Sequence, residues 1–206
     1  MKVNLLVKSD LFRYTGDTSF PNFFYHFIMN PGFRYSYFMR KCHYYQEEKF
    51  VVRKLIFYIF LHYHSIKYSV HIPPSTKIGH GLYLGYGENI TINGLSVIGN
   101  NVNINHGAVI GKTNRGKKMG APVIGDCVWI GTNAVIVGNI TIDNDVLIAP
   151  LSYVNFDVPA NAVVAGNPAK IISYLGSEGY VTKKWIHESD TSSENNDDNI
   201  EEQVTD

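Results

Sequence analysis

Cysteine is scarce: Cys42 and Cys127 are the only two in 206 residues. Two thiols cannot staple a chain of this length, so a disulfide framework is excluded and a reducing compartment is expected. Long apolar runs are missing too. The longest, Leu55–Leu61, is far below the roughly 20 residues a membrane-crossing helix needs. No long apolar run follows Lys2 and Lys8, so no secretory signal is expected and a cytoplasmic location is. Acids are few through most of the chain. Eight of the 18 lie between Glu188 and Asp206, where there is no Lys or Arg, so residues 1–187 hold all 18 bases and the other 10 acids. That excess of eight positive charges suits an anionic ligand such as a cofactor phosphate. The bases form no aromatic-interleaved run and no known reader motif, so nucleic acid is not an expected partner.

What is present falls into three regions. Residues 1–68 are rich in Phe and Tyr and read as a helical cap. Phe23–Met29, Phe33–Tyr45 and Glu47–His64 carry apolar residues at helical spacing, and Asn30-Pro31-Gly32 breaks the first from the second. Residues 69–172 change period. Aliphatic residues recur every six positions at Ile72, Ile78, Leu84 and Ile90, then after a two-residue offset at Ile92, Ile98, Ile104 and Ile110. After a longer break come Ile124, Ile130, Ile136, Ile142, Ile148 and Val154. A period of six is neither helix nor simple strand. It predicts a mainly β chain wound as a parallel β-helix, with three six-residue sides to a coil and each coil burying its aliphatics on the next. Residues 173–206 form a C-terminal extension that has the composition of disorder from about 188.

One insert interrupts the repeat. Ile110 and Ile124 are fourteen residues apart, and Lys112, Arg115, Lys117 and Lys118 lie between them. A loop on a rigid scaffold is a common place for function. Pro159 and Pro168 follow the last hexad and suit the closing of its open end.

The repeat, the single insert and the segment Ala165-Gly166-Asn167-Pro168-Ala169-Lys170 together resemble the hexapeptide-repeat acyltransferases. Within them the chain looks most like the serine acetyltransferases and their bacterial polysaccharide O-acetyltransferase relatives. Asp10-Leu11-Phe12-Arg13-Tyr14 and Asn30-Pro31-Gly32-Phe33-Arg34 match segments of that group. The resemblance implies a left-handed β-helix, a homotrimer, acetyl-CoA as co-substrate in clefts between prisms, and histidine as general base, with no metal. It also implies approximate cofactor contacts at Gly131, Ala149, Ala165 and Gly166, with Lys170 near phosphate.

The match fails at the group's catalytic positions. Its Asp-His pair is Gly85-Tyr86 here, and its Arg-His-Pro is Gly120-Ala121-Pro122. Counting coils supplies another base. Leu84 and Ile104 are expected to stack on one side of adjacent coils, which sets Tyr86 and His106 at one corner with Thr132 next in the row. His106 is therefore the expected base and Tyr86 its catalytic neighbour, because neutral imidazole can take an alcohol's proton as it attacks a thioester. Asn105 or Asn133, or a backbone N–H, would steady the oxyanion. Asn105, Lys117 and Lys118 are the expected substrate contacts, and His80 is a weaker site candidate.

With the serine-gripping residues absent, the expected function is O-acetylation of a saccharide acceptor, such as a surface-polysaccharide precursor. The alternatives are O-acetylation of L-serine, a small-molecule acceptor, in cysteine biosynthesis, and a non-catalytic β-helix that binds a ligand or scaffolds a complex.

Overall fold

The computed structural model describes residues 2–187, so the acidic stretch from Glu188 lies outside the described residues. Four helices come first: α1 (Val3–Thr15), α2 (Phe20–Met29), α3 (Pro31–Glu47) and α4 (Val51–Tyr68). Each boundary has a local cause. Gly16, at φ 80°, ends α1 in the left-handed conformation that costs glycine least. The Asn30 side chain accepts from the Phe33 N–H at 3.2 Å and caps α3, with Pro31 in its first turn.

Two sequence expectations change here. Glu47 ends α3 rather than opening the next helix, which starts at Val51. Helix α1 was not expected at all. Its buried face mixes Val3, Val7 and Leu11 with Ser9, Asp10 and Arg13, so it shows no apolar period.

The rest is a prism of short parallel strands. The first coil holds β1 (Lys77–Ile78), β2 (Tyr83–Leu84) and β3 (Thr91–Ile92). The second holds β4 (Val97–Ile98), β5 (Asn103–Ile104) and β6 (Val109–Gly111). The third holds β7 (Val123–Ile124), β8 (Trp129–Ile130) and β9 (Val135–Val137), and the fourth β10 (Thr141–Ile142), β11 (Leu147–Ile148) and β12 (Tyr153–Val154). Strands β13 (Val163–Gly166) and β14 (Ala169–Ser173) close the end as an antiparallel pair, with Pro168 in the turn. Pro159 opens a turn in which the Ala162 N–H donates to the Pro159 carbonyl at 3.3 Å.

Like sides stack into three sheets, β1-β4-β7-β10, β2-β5-β8-β11-β13-β14 and β3-β6-β9-β12. In the second sheet Leu84 pairs with Ile104, Ile104 with Ile130, Ile130 with Ile148 and Ile148 with Val164, and all five are buried. At roughly 1.5–3 kcal/mol for each fully buried aliphatic side chain, this stack and the matching ones on the other two sides, Ile98-Ile124-Ile142 and Ile92-Ile110-Ile136-Val154, supply the apolar stabilisation of the prism. One corner adds a polar ladder, in which the N–H of Asn100 donates to Asp126 Oδ1 and that of Asp126 to Asn144 Oδ1, at 2.6 and 2.8 Å.

The two-residue offset of the repeat has a cause in the cap. The side after Leu84 runs eight residues to Ile92, and the extra length surrounds Gly87, at φ 61°. A side chain on Gly87 would overlap the backbone of Gly32, and one on Gly32 would overlap the Leu84 carbonyl. Glycine at both positions lets the start of α3 touch the prism at the corner that follows β2.

Buried polar groups fix the cap elsewhere. Asp10 pairs with Arg40 at 3.1 Å, while Arg40 also donates to the carbonyls of Ile78 and Gly79 at 2.7 and 2.6 Å. Tyr14 accepts from the Leu84 N–H at 3.1 Å, and Tyr35 accepts from that of Ile72 at 3.0 Å. The C-terminal segment returns over the outside of the second sheet. Asn103 donates to the Tyr180 carbonyl at 3.2 Å, and the Trp185 N–H donates to Asn101 Oδ1 at 2.8 Å. Among the described residues no helix is long and apolar enough to cross a membrane.

Candidate active site

The stacking of Leu84 on Ile104 carries Tyr86 and His106, each two residues further on, to one corner. Their rings meet edge to face, with centroids 5.3 Å apart and planes at 88°. Tyr86 has φ 61°, a left-handed backbone that a non-glycine residue seldom adopts, and its side chain is 76% exposed. His106 is half-buried. Its carbonyl accepts from the Asn133 N–H at 3.0 Å, which sets Thr132 beside it on the next coil. His106 Nδ1 is buried with no hydrogen-bond partner, so Nε2 is the nitrogen left for an acceptor.

Asn105 explains why position 85 is glycine. Its Nδ2 donates to the Ile130 carbonyl at 2.8 Å, and its Oδ1 fills the space that a Cβ on Gly85 would enter. An acidic side chain at 85 and this Asn105 conformer exclude each other.

The row continues along the same edge. N–H groups of Gly85, Asn105, Gly131 and Ala149 donate in turn to the carbonyls of Ile104, Ile130, Ile148 and Val164. Gly131, Ala149, Ala165 and Gly166 therefore lie on the edge that carries Tyr86 and His106. Lys170 pairs with Ala165 across the closing hairpin and is exposed. The edge offers backbone and methyl groups over three coils, a surface a long thin molecule can lie along.

The insert is elsewhere. It leaves after β6, one corner further round, as a small hairpin in which Thr113 and Gly120 exchange hydrogen bonds of 2.8 and 2.9 Å. Lys118 is paired with Asp157 at 3.3 Å, and Lys117 is exposed. Within one chain, neither lysine is brought to the Tyr86 corner. His80 is buried on a different corner, with its ring 6.2 Å from that of His187.

A cleft of about 630 Å³ opens beside Tyr86 and Asn105. Tyr83, Asn103 and Trp129 supply one wall, Tyr180 and Lys183 another, and Arg13 and Tyr14 of α1 a third. His106 is not on the wall and meets the cleft through the Tyr86 ring. Burial pulls the Arg13 guanidinium below its ordinary pKa and pushes the Tyr83 phenol above its own.

The sequence reading missed these wall residues. Tyr83, Asn103 and Trp129 each precede an inward aliphatic of the second sheet, so the arithmetic that paired Tyr86 with His106 also reaches them. Arg13 and Lys183 carried no such signal.

A family model described as bacterial transferase hexapeptide (six repeats) matches residues 121–155. Serine acetyltransferase 2 of Arabidopsis thaliana is 39% identical over 108 residues, covering 52% of this chain and 33% of its own. The chain thus spans about a third of the length of that curated relative. The structure of Neisseria gonorrhoeae serine acetyltransferase in complex with serine aligns with TM-score 0.69 and 32% identity, over 83% of this chain and 69% of that one. Serine acetyltransferase from Brucella abortus strain S19 in complex with coenzyme A aligns with TM-score 0.68 and 28% identity, over 84% and 67%.

Proposed function

We propose that this chain, which belongs to the serine acetyltransferase group of hexapeptide-repeat transferases, moves acetyl from acetyl-CoA to an acceptor hydroxyl at the edge bearing Tyr86 and His106. The observation that carries this reading is the 5.3 Å contact of those two rings beside a cleft, at the head of a row of small residues. Gly131, Ala149, Ala165 and Gly166 fit an extended cofactor along that row, with Lys170 at its end to meet phosphate. His106 Nε2 takes the acceptor's proton as the acceptor oxygen attacks the thioester carbonyl. Asn105 or Asn133 offers an amide, or the coil a backbone N–H, to the oxyanion. His106 then returns the proton to the departing thiolate.

L-Serine is the acceptor that the relatives' names support, and it takes precedence over the sugar expected from the sequence, for which none of the relatives named above speaks. The sugar stays as a second reading on one observation: a cleft of 630 Å³ walled by Tyr83, Tyr86 and Trp129 suits a ring better than it suits so small an amino acid. Assembly as a homotrimer accords with the uncovered apolar faces of α2 and α4, where Phe24, Ile28, Leu55, Ile59 and Tyr63 are all exposed.

Thiol release from acetyl-CoA, measured with L-serine and with sugars side by side, tests the acceptor. His106→Ala is expected to lower kcat/KM by about 10²–10⁴-fold. Near-normal kcat/KM in that variant ends the assignment. Calorimetry with acetyl-CoA that detects no binding favours a scaffold instead.

A further inference from the structure

The cleft beside Tyr86 carries a charge imbalance that acetyl transfer alone does not require. Among the described residues its lining holds two cations, Arg13 and Lys183, and neither Asp nor Glu. Arg13 is the more telling of the two. It is only 4% exposed, and its guanidinium donates solely to neutral oxygens: the Gly81 carbonyl at 3.3 Å, Asn101 Oδ1 at 3.3 Å and Asn103 Oδ1 at 2.6 Å. Its Nε has no hydrogen-bond partner. The nearest acid on the same helix is Asp10, one turn earlier. That carboxylate is already held by two bonds from Arg40 and one from the Leu82 N–H. Among the described residues no carboxylate bonds Arg13, which feels Asp10 only through space, so burial of its charge is costly unless something supplies a closer anion.

Holding α1 to the prism does not explain the charge. The Asn101 and Asn103 amides also bond the Trp185 and Tyr180 carbonyls, so this network of neutral oxygens already joins the second sheet to the C-terminal segment. Lys183 adds a second positive group across the cleft. It is exposed, and it donates to the Tyr14 carbonyl at 3.0 Å, next to Arg13 in the chain. An ammonium has three donors, so this bond leaves Lys183 free to meet an anion as well.

We propose that the cleft selects an acceptor bearing a carboxylate as well as the reacting hydroxyl, with Arg13 and Lys183 reading the anion. This rests on the acetyl-transfer reading and narrows its acceptor class. Among the described residues the lining offers no carboxylate to an ammonium, so a hydroxy acid is accepted at least as well as the amino acid of the same skeleton. A carboxylate of this kind comes either from a small hydroxy or amino acid or from an acidic sugar.

Three acceptors with one primary hydroxyl separate the charges: L-glycerate, L-serine and L-serinamide. The expected order of kcat/KM is glycerate, then serine, with serinamide lower by about tenfold or more and the difference lying in KM. D-Glucuronate beside D-glucose asks the same of a sugar, and whichever acid outpaces its neutral partner names the source. Lys183→Gln, on the surface and so safe for folding, narrows the spread between serine and serinamide. Arg13→Gln abolishes it, by lowering kcat/KM for serine to that for serinamide. Equal loss on every acceptor in both variants marks a structural role and overturns the proposal.

A binding readout covers the case in which Arg13→Gln fails to fold or no acceptor is turned over. Trp129 lies on the cleft wall and Trp185 is the only other tryptophan, so Trp185→Phe assigns the Trp129 indole N–H resonance. Glycolate is expected to shift that resonance saturably, and glycolamide to leave it in place. No shift with glycolate, or the same shift with both, overturns the anion site even if serine is acetylated. A glycolate-specific shift without acetyl transfer keeps the anion site and removes the enzymatic reading.

Discussion

From Leu84 to Val164 the inward positions of the second sheet are aliphatic and sealed from solvent, whereas α4 leaves Val51, Leu55, Ile59, Tyr63 and Ile66 outside. The two regions are stabilised in different ways. Each prism coil repeats the burial of the coil before it, and the first coil is covered from outside the stack by the cap. The cap packs Tyr35, Phe38, Met39, Cys42 and Leu61 into one apolar cluster with Ile72, Leu82 and Leu84 at the start of the prism, and it adds buried polar attachments: Asp10 with Arg40, Tyr14 at Leu84 and Tyr35 at Ile72. An aliphatic stack tolerates no polar error and needs no partner. A polar attachment is strong only while every member is present.

The sharpest way to break that contrast is to remove one member of the buried pair. Asp10→Ala leaves Arg40 charged and unpaired at the cap–prism junction. The expected cost is about 3–5 kcal/mol, felt by the cap. Limited proteolysis would then cut within residues 3–68 while the prism stays intact. If cap and prism remain equally resistant, the attachment is not electrostatic. The next largest effect lies in the prism. A Cβ on Gly131 would stand 2.7 Å from the Ile148 carbonyl oxygen and 2.8 Å from the Ala149 carbonyl carbon, both backbone atoms of the next coil. Gly131→Ala is expected to cost about 1–3 kcal/mol, read as a lower thermal midpoint. An unchanged midpoint would mean that the coils part more easily than their packing suggests.

How much of this was legible in the sequence divides along the same line. The prism was legible because six-residue periodicity is a direct image of its sides: Ile78, Leu84, Ile98 and Ile104 fall where the spacing puts them, and the Tyr86–His106 corner followed from the same count. The cap was partly legible. Helices α2 to α4 carry apolar spacing, but α1 buries Ser9, Asp10 and Arg13, so its helical face was hidden from any apolar pattern. The cleft was least legible. It combines Arg13, Tyr83 and Lys183, which lie in three separate parts of the chain, and only Tyr83 belongs to a periodic segment. The two-residue offset was visible as an irregularity, but its cause, the Gly32–Gly87 approach, needs the cap and prism together.

The mildest test uses acid. His64 on α4 is nearly buried, with Nδ1 bonded to the Phe60 carbonyl at 2.8 Å and its ring 5.1 Å from that of Phe38. Burial, opposed by the Phe60 bond and assisted by Arg34 and Lys67, lowers its pKa below the ordinary 6.5. The sign follows by linkage. Between 6.5 and the lower folded value, the unfolded chain binds a proton that the folded cap refuses, so stability is whole above about 6.5 and falls as pH drops through that window. His26 on α2 is shifted the same way, by burial and by Lys183, so the cap has two acid-sensitive points. The aliphatic stack of the prism has nothing to titrate. Near-ultraviolet circular dichroism, dominated by the aromatic cap, is expected to weaken below pH 6.5 while the far-ultraviolet strand signal holds. His64→Leu should flatten the greater part of that loss and leave the share due to His26. Identical profiles for the variant and the parent would place the acid sensitivity outside α4 and remove the difference in pH response between the two regions.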